Sequence, residues 1–236
     1  ALASGIAHEL NNPLNGIMNY AELIREDAAD NESVSRFANE IIAESRRIST
    51  VASNLLRFSK QDRTAVAQMD MNSVVNGVLQ LARTALENDS VHVDFMPVHD
   101  LPAVAVRAEQ IQQALLNVVT NAREAMNERF DGEPDERKRL AIDLSLHQDD
   151  GGHWVRTSVI DRGAGLAEHA QSLMFDPFFT TKLRSAHSGM GLTVAYNILE
   201  DHGGRLRAET LSDGRTAMHV DLPAAVSDGA AKGEAL

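Results

Sequence analysis

The chain has 236 residues and a formal net charge of −12 at pH 7, and 43% of its residues are hydrophobic. This length suits one or two domains. The acidic balance argues against a nucleic-acid partner, because such binding depends on Lys and Arg that neutralise phosphates. The lack of cysteine excludes disulfides, thiolate zinc sites and a cysteine nucleophile, and it is typical of the cytoplasm.

The start of the chain predicts a cytoplasmic fragment of a longer protein. Ala1 already lies in a helical pattern, with no basic segment or cleavage signal before it. No apolar run reaches the roughly 18 residues that cross a bilayer. We therefore expect no membrane contact from this fragment, although the full-length protein could still be membrane-anchored.

The first 60 residues predict two long helices. Residues 1–27 carry apolar side chains at the spacing of one helix face: Ile6, Leu10, Leu14, Ile17, Ala21 and Ile24. Residues 33–60 follow alternating steps of three and four: Val34, Phe37, Ile41, Ile48, Val51, Leu55 and Phe58, with Glu44 interrupting the row. The polar segment between the helices offers Asn31 or Ser33 as an N-cap for the second helix.

Two helices with a short connection predict an antiparallel hairpin. Such a hairpin has little core of its own, so its apolar rows favour pairing with a second copy. We therefore expect a homodimeric four-helix bundle. Packing of the hairpin on a second domain of the same chain is the alternative.

From about residue 66 the pattern becomes a mixture of helices and strands. Helices are predicted at Met71–Leu86, Ala108–Met126 and Leu192–Asp201, and strands at Val91–Phe95, Leu140–Leu146, Trp154–Ile160, Arg205–Thr210 and Ala217–Leu222. A charged loop, Arg129–Arg139, precedes the second of these strands. Because the elements lack a strict βαβ rhythm, we expect an α+β sandwich with helices over one face of a mixed sheet.

His8 lies on the polar face of the first helix. At 100° per residue from Ile6, His8 falls at about 200°, far from the apolar row. A neutral imidazole can attack a γ-phosphate when a neighbouring carboxylate such as Glu9 removes its proton. Asn12, one turn later, could orient a water for the reverse hydrolysis. A surface histidine without function is the alternative, whereas a zinc-protease helix is excluded because it needs His in the position of Asn12.

Three polar residues further along the chain suggest a nucleotide site. Asn117 and Asn121 project from adjacent turns of one helix, and their amide oxygens are hard ligands suited to Mg²⁺. Asp161 ends an apolar strand, where a buried carboxylate needs a partner such as the amino group of adenine. Helix caps and a simple Asp turn are the alternatives.

Two later segments extend this interpretation. Residues 174–182 place three phenylalanines and Lys182 in one long connection, which favours a mobile lid over a nucleotide. Gly189 and Gly191 then open the helix from Leu192, so that backbone N–H groups could approach phosphate oxygens. No Gly-Lys-Ser or Gly-Lys-Thr follows, which excludes a Walker loop.

Taken in order, these segments resemble the catalytic core of sensor histidine kinases of two-component systems, closest to the nitrogen-regulation and dicarboxylate-sensing type. Residues 8–14, His-Glu-Leu-Asn-Asn-Pro-Leu, look like the phosphoacceptor box of that family. The other boxes follow as the N box at 117–126, the first glycine box at 161–165, the F box at 175–182 and the second glycine box at 188–192. His187 stands where the last box often begins with glycine.

The resemblance implies a dimerisation and histidine-phosphotransfer domain at 1–65 and a catalytic ATP-binding domain of the Bergerat (GHKL) type at 66–224. Residues 225–236 are predicted to form a disordered tail. The implied activity is autophosphorylation of His8 from ATP, with transfer to an aspartate in the receiver domain of a response regulator. The resemblance also implies phosphatase action on that regulator.

The resemblance further assigns site residues. Glu9 would be the general base and Asn12 would serve the phosphatase reaction. Asn121 would bind Mg²⁺ and Asp161 would take adenine. The remaining nucleotide contacts would come from Asn117, Gly163, Gly165, Phe179, Thr181, Lys182, Gly189, Met190, Gly191 and Leu192.

Two other classes of function compete with this interpretation. An ATPase of the gyrase, mismatch-repair or heat-shock chaperone kind needs a water-activating carboxylate beside the metal helix, and Glu124 is the candidate. A noncatalytic dimer that signals through its helices alone needs no ATP. Calorimetry with ATP and labelling of His8 separate the three.

Overall fold

The computed structural model describes residues 2–27, 31–42, 45, 48, 65–166, 174–176 and 190–225, and in the first helix it describes side chains at 14 and 16–27. The chain divides into two compact units, Ala1–Arg63 with Asp176–Met190, and Thr64–Phe175 with Gly191–Leu236. Within the described residues, no helix combines the length and the apolar character of a membrane span.

The first unit contains the two predicted helices. Helix α1 runs over Leu2–Asp27, and α2 covers 32–42, with 45 and 48 also helical. Asn31 caps α2, because its side-chain oxygen accepts a hydrogen bond from the Val34 amide at 3.2 Å. Of the two predicted caps, Asn31 is therefore the one that acts. The prediction that α2 continues to residue 60 falls largely outside the described residues.

The apolar residues of this unit form buried and exposed rows. Leu14 and Ala21 of α1 are buried, whereas Ile17 and Ile24 of the same predicted stripe are exposed. On α2, the buried positions are Ala38, Ile42 and Ser45, and the exposed ones are Phe37, Ile41 and Ile48. The predicted row of α2 therefore lies on the helix face next to the one that is buried within the chain. Neighbouring faces of one helix can have different surroundings.

The second unit begins with a small sheet and two helices. Strand β1 (Ala67–Met69) pairs antiparallel with β3 (Val104–Val106). Helix α3 (Met71–Asn88) starts at an Asp70 N-cap, and α4 (Ala108–Arg129) follows β3. Strand β1 was not predicted, because three residues are too few to establish an alternating pattern.

The main sheet has five strands in the order β2-β4-β5-β7-β6. Their bounds are His92–Phe95, Arg139–Asp149, Gly152–Asp161, Arg205–Thr210 and Thr216–Pro223 for β2, β4, β5, β6 and β7. Strands β2 and β4 are parallel and the other pairs are antiparallel, which confirms the predicted mixed sheet. Helix α4 packs on β5, and helix α5 (Gly191–Glu200) packs on α4 and β6.

Strands β4 and β5 extend beyond their predicted ends because Asp149 anchors the turn between them. Its carboxylate accepts hydrogen bonds from the Trp154 indole at 2.8 Å, the Gly151 amide at 2.8 Å and Arg205 at 2.6 Å. The Arg205 guanidinium also stacks on the Trp154 ring, 3.9 Å from its centroid. These contacts fix the turn end of the hairpin, where Asp149 pairs with Gly152.

Lys138 is fully buried, although the sequence places it in the predicted charged loop. Its ammonium donates hydrogen bonds to the Asn127 side-chain oxygen at 2.9 Å and to the Asp89 carbonyl at 3.2 Å. Asp89 in turn lies 3.2 Å from the Arg123 guanidinium. The lysine is tolerated in the interior because its ammonium is hydrogen-bonded to groups at the ends of α3 and α4.

Candidate functional site

Asp161 is the last residue of β5, and its side chain is only 3% exposed. One carboxylate oxygen accepts a hydrogen bond from the Gly163 amide at 2.7 Å. Thr216 pairs with Asp161 across β5 and β7 and is buried beside it. A carboxylate in this setting is suited to a ligand that offers hydrogen-bond donors, such as an amino group.

Gly163 approaches α4 more closely than a residue with a side chain could. A Cβ at Gly163 would lie 2.5 Å from the Ala125 Cβ and 2.8 Å from the Ala125 carbonyl carbon. The Ala164 amide donates a hydrogen bond to the Ala125 carbonyl at 3.1 Å. Gly165 adopts φ +88°, a conformation that favours glycine. The turn after Asp161 therefore needs glycine at both positions, for two different reasons.

Helix α4 also carries both predicted asparagines. Asn117 and Asn121 are half-buried and lie one turn apart. A Cβ at Gly191 would lie 3.9 Å from the Asn117 Cβ, so the start of α5 lies against this turn of α4. The first N–H groups of a helix lack partners within it and are able to bind anions. Leu192, next to Gly191, is half-buried.

A single helix thus carries the contacts of both predicted halves of the site. Asn117 lies beside the start of α5, and Ala125 contacts the turn after Asp161. The two residues are eight positions apart, which is about 12 Å along the helix axis. This arrangement provides a carboxylate near one end and helix N–H groups near the other. A nucleotide offers the matching groups, a base with an amino group and a chain of phosphates.

The described beginning of the predicted lid lies against α5. The Phe175 ring stacks on the Tyr196 ring with centroids 5.5 Å apart and 24° between the planes. Met174 and Met190, on either side of the long connection, are both buried.

Several predicted residues lie outside this description. Phe179, Thr181, Lys182 and Gly189 are outside the described residues. The backbone of His8, Glu9 and Asn12 belongs to α1, and their side chains are not among those that the structure describes. Their roles stay predictions.

Sequence reasoning missed two residues of the site, Ala125 and Thr216. Ala125 follows Asn121 by four positions and therefore lies on the same face of α4. A small residue at that spacing was the available signal. Thr216 could not be found in this way, because its place beside Asp161 depends on strand register.

Comparisons with known proteins agree with this geometry. Residues 1–64 match the family described as the His Kinase A (phospho-acceptor) domain. Residues 106–226 match the histidine kinase-, DNA gyrase B- and HSP90-like ATPase family.

Among curated proteins, the chain is 30% identical over 222 residues to the sensor histidine kinase ZraS of Escherichia coli O157:H7, covering 94% of this chain and 45% of ZraS. It is 31% identical over 223 residues to the sensory histidine kinase/phosphatase NtrB of Proteus hauseri, covering 94% of this chain and 62% of NtrB. The chain therefore spans about half the length of the relatives it matches.

Among solved structures, full-length ShkA in complex with AMPPNP aligns with a TM-score of 0.66 at 19% identity, covering 96% of this chain and 46% of ShkA. At this identity the likeness concerns the fold.

Proposed function

Because the chain belongs to the sensor histidine kinase family, we propose that it is an ATP-dependent protein-histidine kinase. It autophosphorylates His8 and passes the phosphoryl group to an aspartate in the receiver domain of a response regulator. The observation that carries this proposal is that one chain joins a phosphoacceptor match at 1–64 to a nucleotide-binding match at 106–226. A clamp ATPase or a noncatalytic dimer has no use for both.

The nucleotide lies along α4 in this proposal. The buried Asp161 carboxylate accepts a hydrogen bond from the 6-amino group of adenine. The amides at the start of α5, at Gly191 and Leu192, bind phosphate oxygens. Bound Mg²⁺ would neutralise phosphate charge, with the Asn121 amide oxygen as its protein ligand and Asn117 alongside.

The phosphate side is completed by residues of the long connection before α5. Lys182 supplies positive charge to the phosphates, which this acidic chain must provide locally. The other members of this group are Phe179, Thr181, Gly189 and Met190. Gly163 and Gly165 line the adenine side.

The chemical step takes place at His8. Glu9 holds one ring N–H and accepts its proton while the other nitrogen attacks the γ-phosphorus. A nitrogen–phosphorus bond forms, the bond to the β-phosphate oxygen breaks, and ADP leaves. Asn12 orients a water in the opposite, phosphatase reaction on the regulator. The relative NtrB is named a histidine kinase/phosphatase, which favours this second activity.

The domain assignment follows from the same proposal. Residues 1–65 form the dimerisation and phosphotransfer domain, and 66–224 form the ATP-binding domain. The exposed apolar rows of α1 and α2 support a homodimer, in which they complete a four-helix bundle. These residues lie in the cytoplasm, where ATP and a response regulator are available. At the start of the predicted tail, the Ala225 amide donates a hydrogen bond to the Ala103 carbonyl at 2.8 Å, and 226–236 lie outside the described residues.

Incubation with γ-labelled ATP and Mg²⁺ tests the proposal. The chain should acquire an acid-labile, alkali-stable label that His8→Ala abolishes. His99→Ala is the matched control, because His99 is an exposed histidine in the other unit. Label that persists in His8→Ala contradicts the assignment of the phosphoacceptor. ATP hydrolysis without any label favours the clamp ATPase, and absence of ATP binding with an intact dimer favours the noncatalytic one.

A further inference from the structure

Arg129, the last residue of α4, binds the carbonyl side of the turn that follows Asp161. Its Nη1 donates hydrogen bonds to the Arg162 carbonyl at 3.0 Å and to the Gly163 carbonyl at 3.2 Å. One guanidinium nitrogen therefore connects two successive peptide groups to the end of the helix. Charge-assisted hydrogen bonds of this kind are stronger than neutral ones.

The guanidinium of Arg129 is itself held in place. It lies 5.5 Å from the centroid of the Phe130 ring, and Arg137 lies 4.9 Å from the same centroid. A cation in the last turn of a helix is also stabilised by the helix dipole. The side chain is thus ordered by contacts that involve no ligand.

The turn that Arg129 binds also orients Asp161. The Gly163 amide donates to the Asp161 carboxylate at 2.7 Å, and the Ala164 amide donates to the Ala125 carbonyl at 3.1 Å. Arg129 binds the carbonyls of the same short segment. The amide that orients the carboxylate is therefore fixed by α4 on both sides, through Ala125 and through Arg129.

We propose that Arg129 is a positioning residue for adenine recognition. By holding the carbonyls of Arg162 and Gly163, it keeps the Gly163 amide directed at Asp161 and thereby sets the orientation in which the carboxylate accepts the 6-amino group of adenine. This inference rests on the proposed function, since that function supplies adenine as the partner of Asp161.

Calorimetry on the full chain tests this role with two nucleotides. The dissociation constants of ATP and of purine-riboside triphosphate, which lacks the 6-amino group, are compared in the presence of Mg²⁺. Arg129→Met should reduce the preference for ATP by about three- to tenfold. Arg129→Lys should recover part of it, because an ammonium can also donate to both carbonyls. Arg83→Met is the control, because the Arg83 side chain is 74% exposed on α3.

A merely structural role of Arg129 would weaken both nucleotides equally, and an unchanged preference in Arg129→Met overturns the proposal. Hydrogen exchange of the nucleotide-free protein supplies an arm that does not need ATP. Peptides covering 162–165 should exchange about tenfold faster in Arg129→Met than in the wild type, with no change in Arg83→Met. Unchanged exchange overturns the positioning role. If the wild type does not bind ATP but exchange is faster in Arg129→Met, the proposed function is refuted. Arg129 then still fixes the turn.

Discussion

The helical unit and the α+β unit treat their apolar residues differently. Helices α1 and α2 leave large side chains in water, including Tyr20 at 71% exposed and Phe37 at 55%. The α+β unit encloses residues such as Val118, Val155 and Leu199 completely, although Met96 and Leu81 at its surface are also exposed. Burial of apolar surface is the main stabilising contribution to folding and association. The second unit therefore completes its core within one chain, whereas the exposed rows of the first are the surface that the proposed dimer would bury.

Charge placed on the exposed rows of the hairpin tests this difference between the units most directly. Ile17→Glu combined with Ile41→Glu should raise the dimer dissociation constant at least about a thousandfold, because four isoleucines per dimer lose their burial. ATP affinity should not change. Sedimentation velocity measures the first effect and calorimetry the second. Asn19→Glu, which adds charge at an exposed polar position of α1, should leave the dimer intact. A dimer that survives the double substitution rules out these rows as the interface.

A substitution at the candidate site of the α+β unit should weaken ATP binding and not dimerisation. Asp161→Asn should weaken ATP binding by about ten- to hundredfold, because the charged acceptor for the adenine amino group is lost. The oligomeric state should stay the same. Asp143→Asn serves as the control, since Asp143 is an exposed aspartate of the same sheet. Equal ATP affinity in Asp161→Asn and the wild type is incompatible with the proposed adenine contact.

The buried Lys138 tests how far the interior of the α+β unit determines its stability. Lys138→Met keeps the aliphatic volume but removes the donor from the Asn127 oxygen and the Asp89 carbonyl. The free energy of unfolding of the α+β unit should fall by about 1–3 kcal/mol in urea titrations. Arg139→Met, at the neighbouring position but 55% exposed, should change it by less than about 1 kcal/mol. Equal effects of the two substitutions would contradict the role of the buried network.

The smallest expected effect concerns pH. The hydrogen bond from the Trp154 indole, with those from Gly151 and Arg205, lowers the pKa of Asp149 from 3.8 to about 2. A carboxylate whose pKa is lowered in the folded state stabilises that state at pH values above its pKa in the unfolded chain. This stabilisation is lost as the carboxylate is protonated. Asp149→Asn should therefore lower the melting temperature above about pH 4, and the difference from wild type should shrink as the pH falls from 4 through 2. Thermal melts across this range measure it, and a pH-independent difference would exclude the titration of Asp149 as its cause.

The sequence predicted most elements of the fold because their periodicity is local. Helices α1, α3, α4 and α5 and strand β6 lie where the apolar spacing places them, and the mixed sheet is confirmed. The family assignment is confirmed as well. What escaped prediction depends on contacts between distant residues. Lys138 is buried only because Asn127 and the end of α3 meet it in space.

The candidate site shows the same division. Asp161 was correctly placed at a strand end and Gly191 at a helix start, since both positions follow from local pattern. The closeness of Gly163 to Ala125 could not be predicted, because it depends on how near α4 comes to the turn. The roles of these residues and of His8 stay predictions that the experiments above address.

The attachment of both ends of the site to α4 has a consequence for how this protein tolerates insertions and deletions. One residue added or removed between Asn117 and Ala125 would rotate one attachment point by about 100° relative to the other and shift it by about 1.5 Å. The helix would survive such a change, but the two attachment points would no longer face the same ligand. Variation in length should therefore accumulate in the connections of this unit and be absent from these two turns of helix.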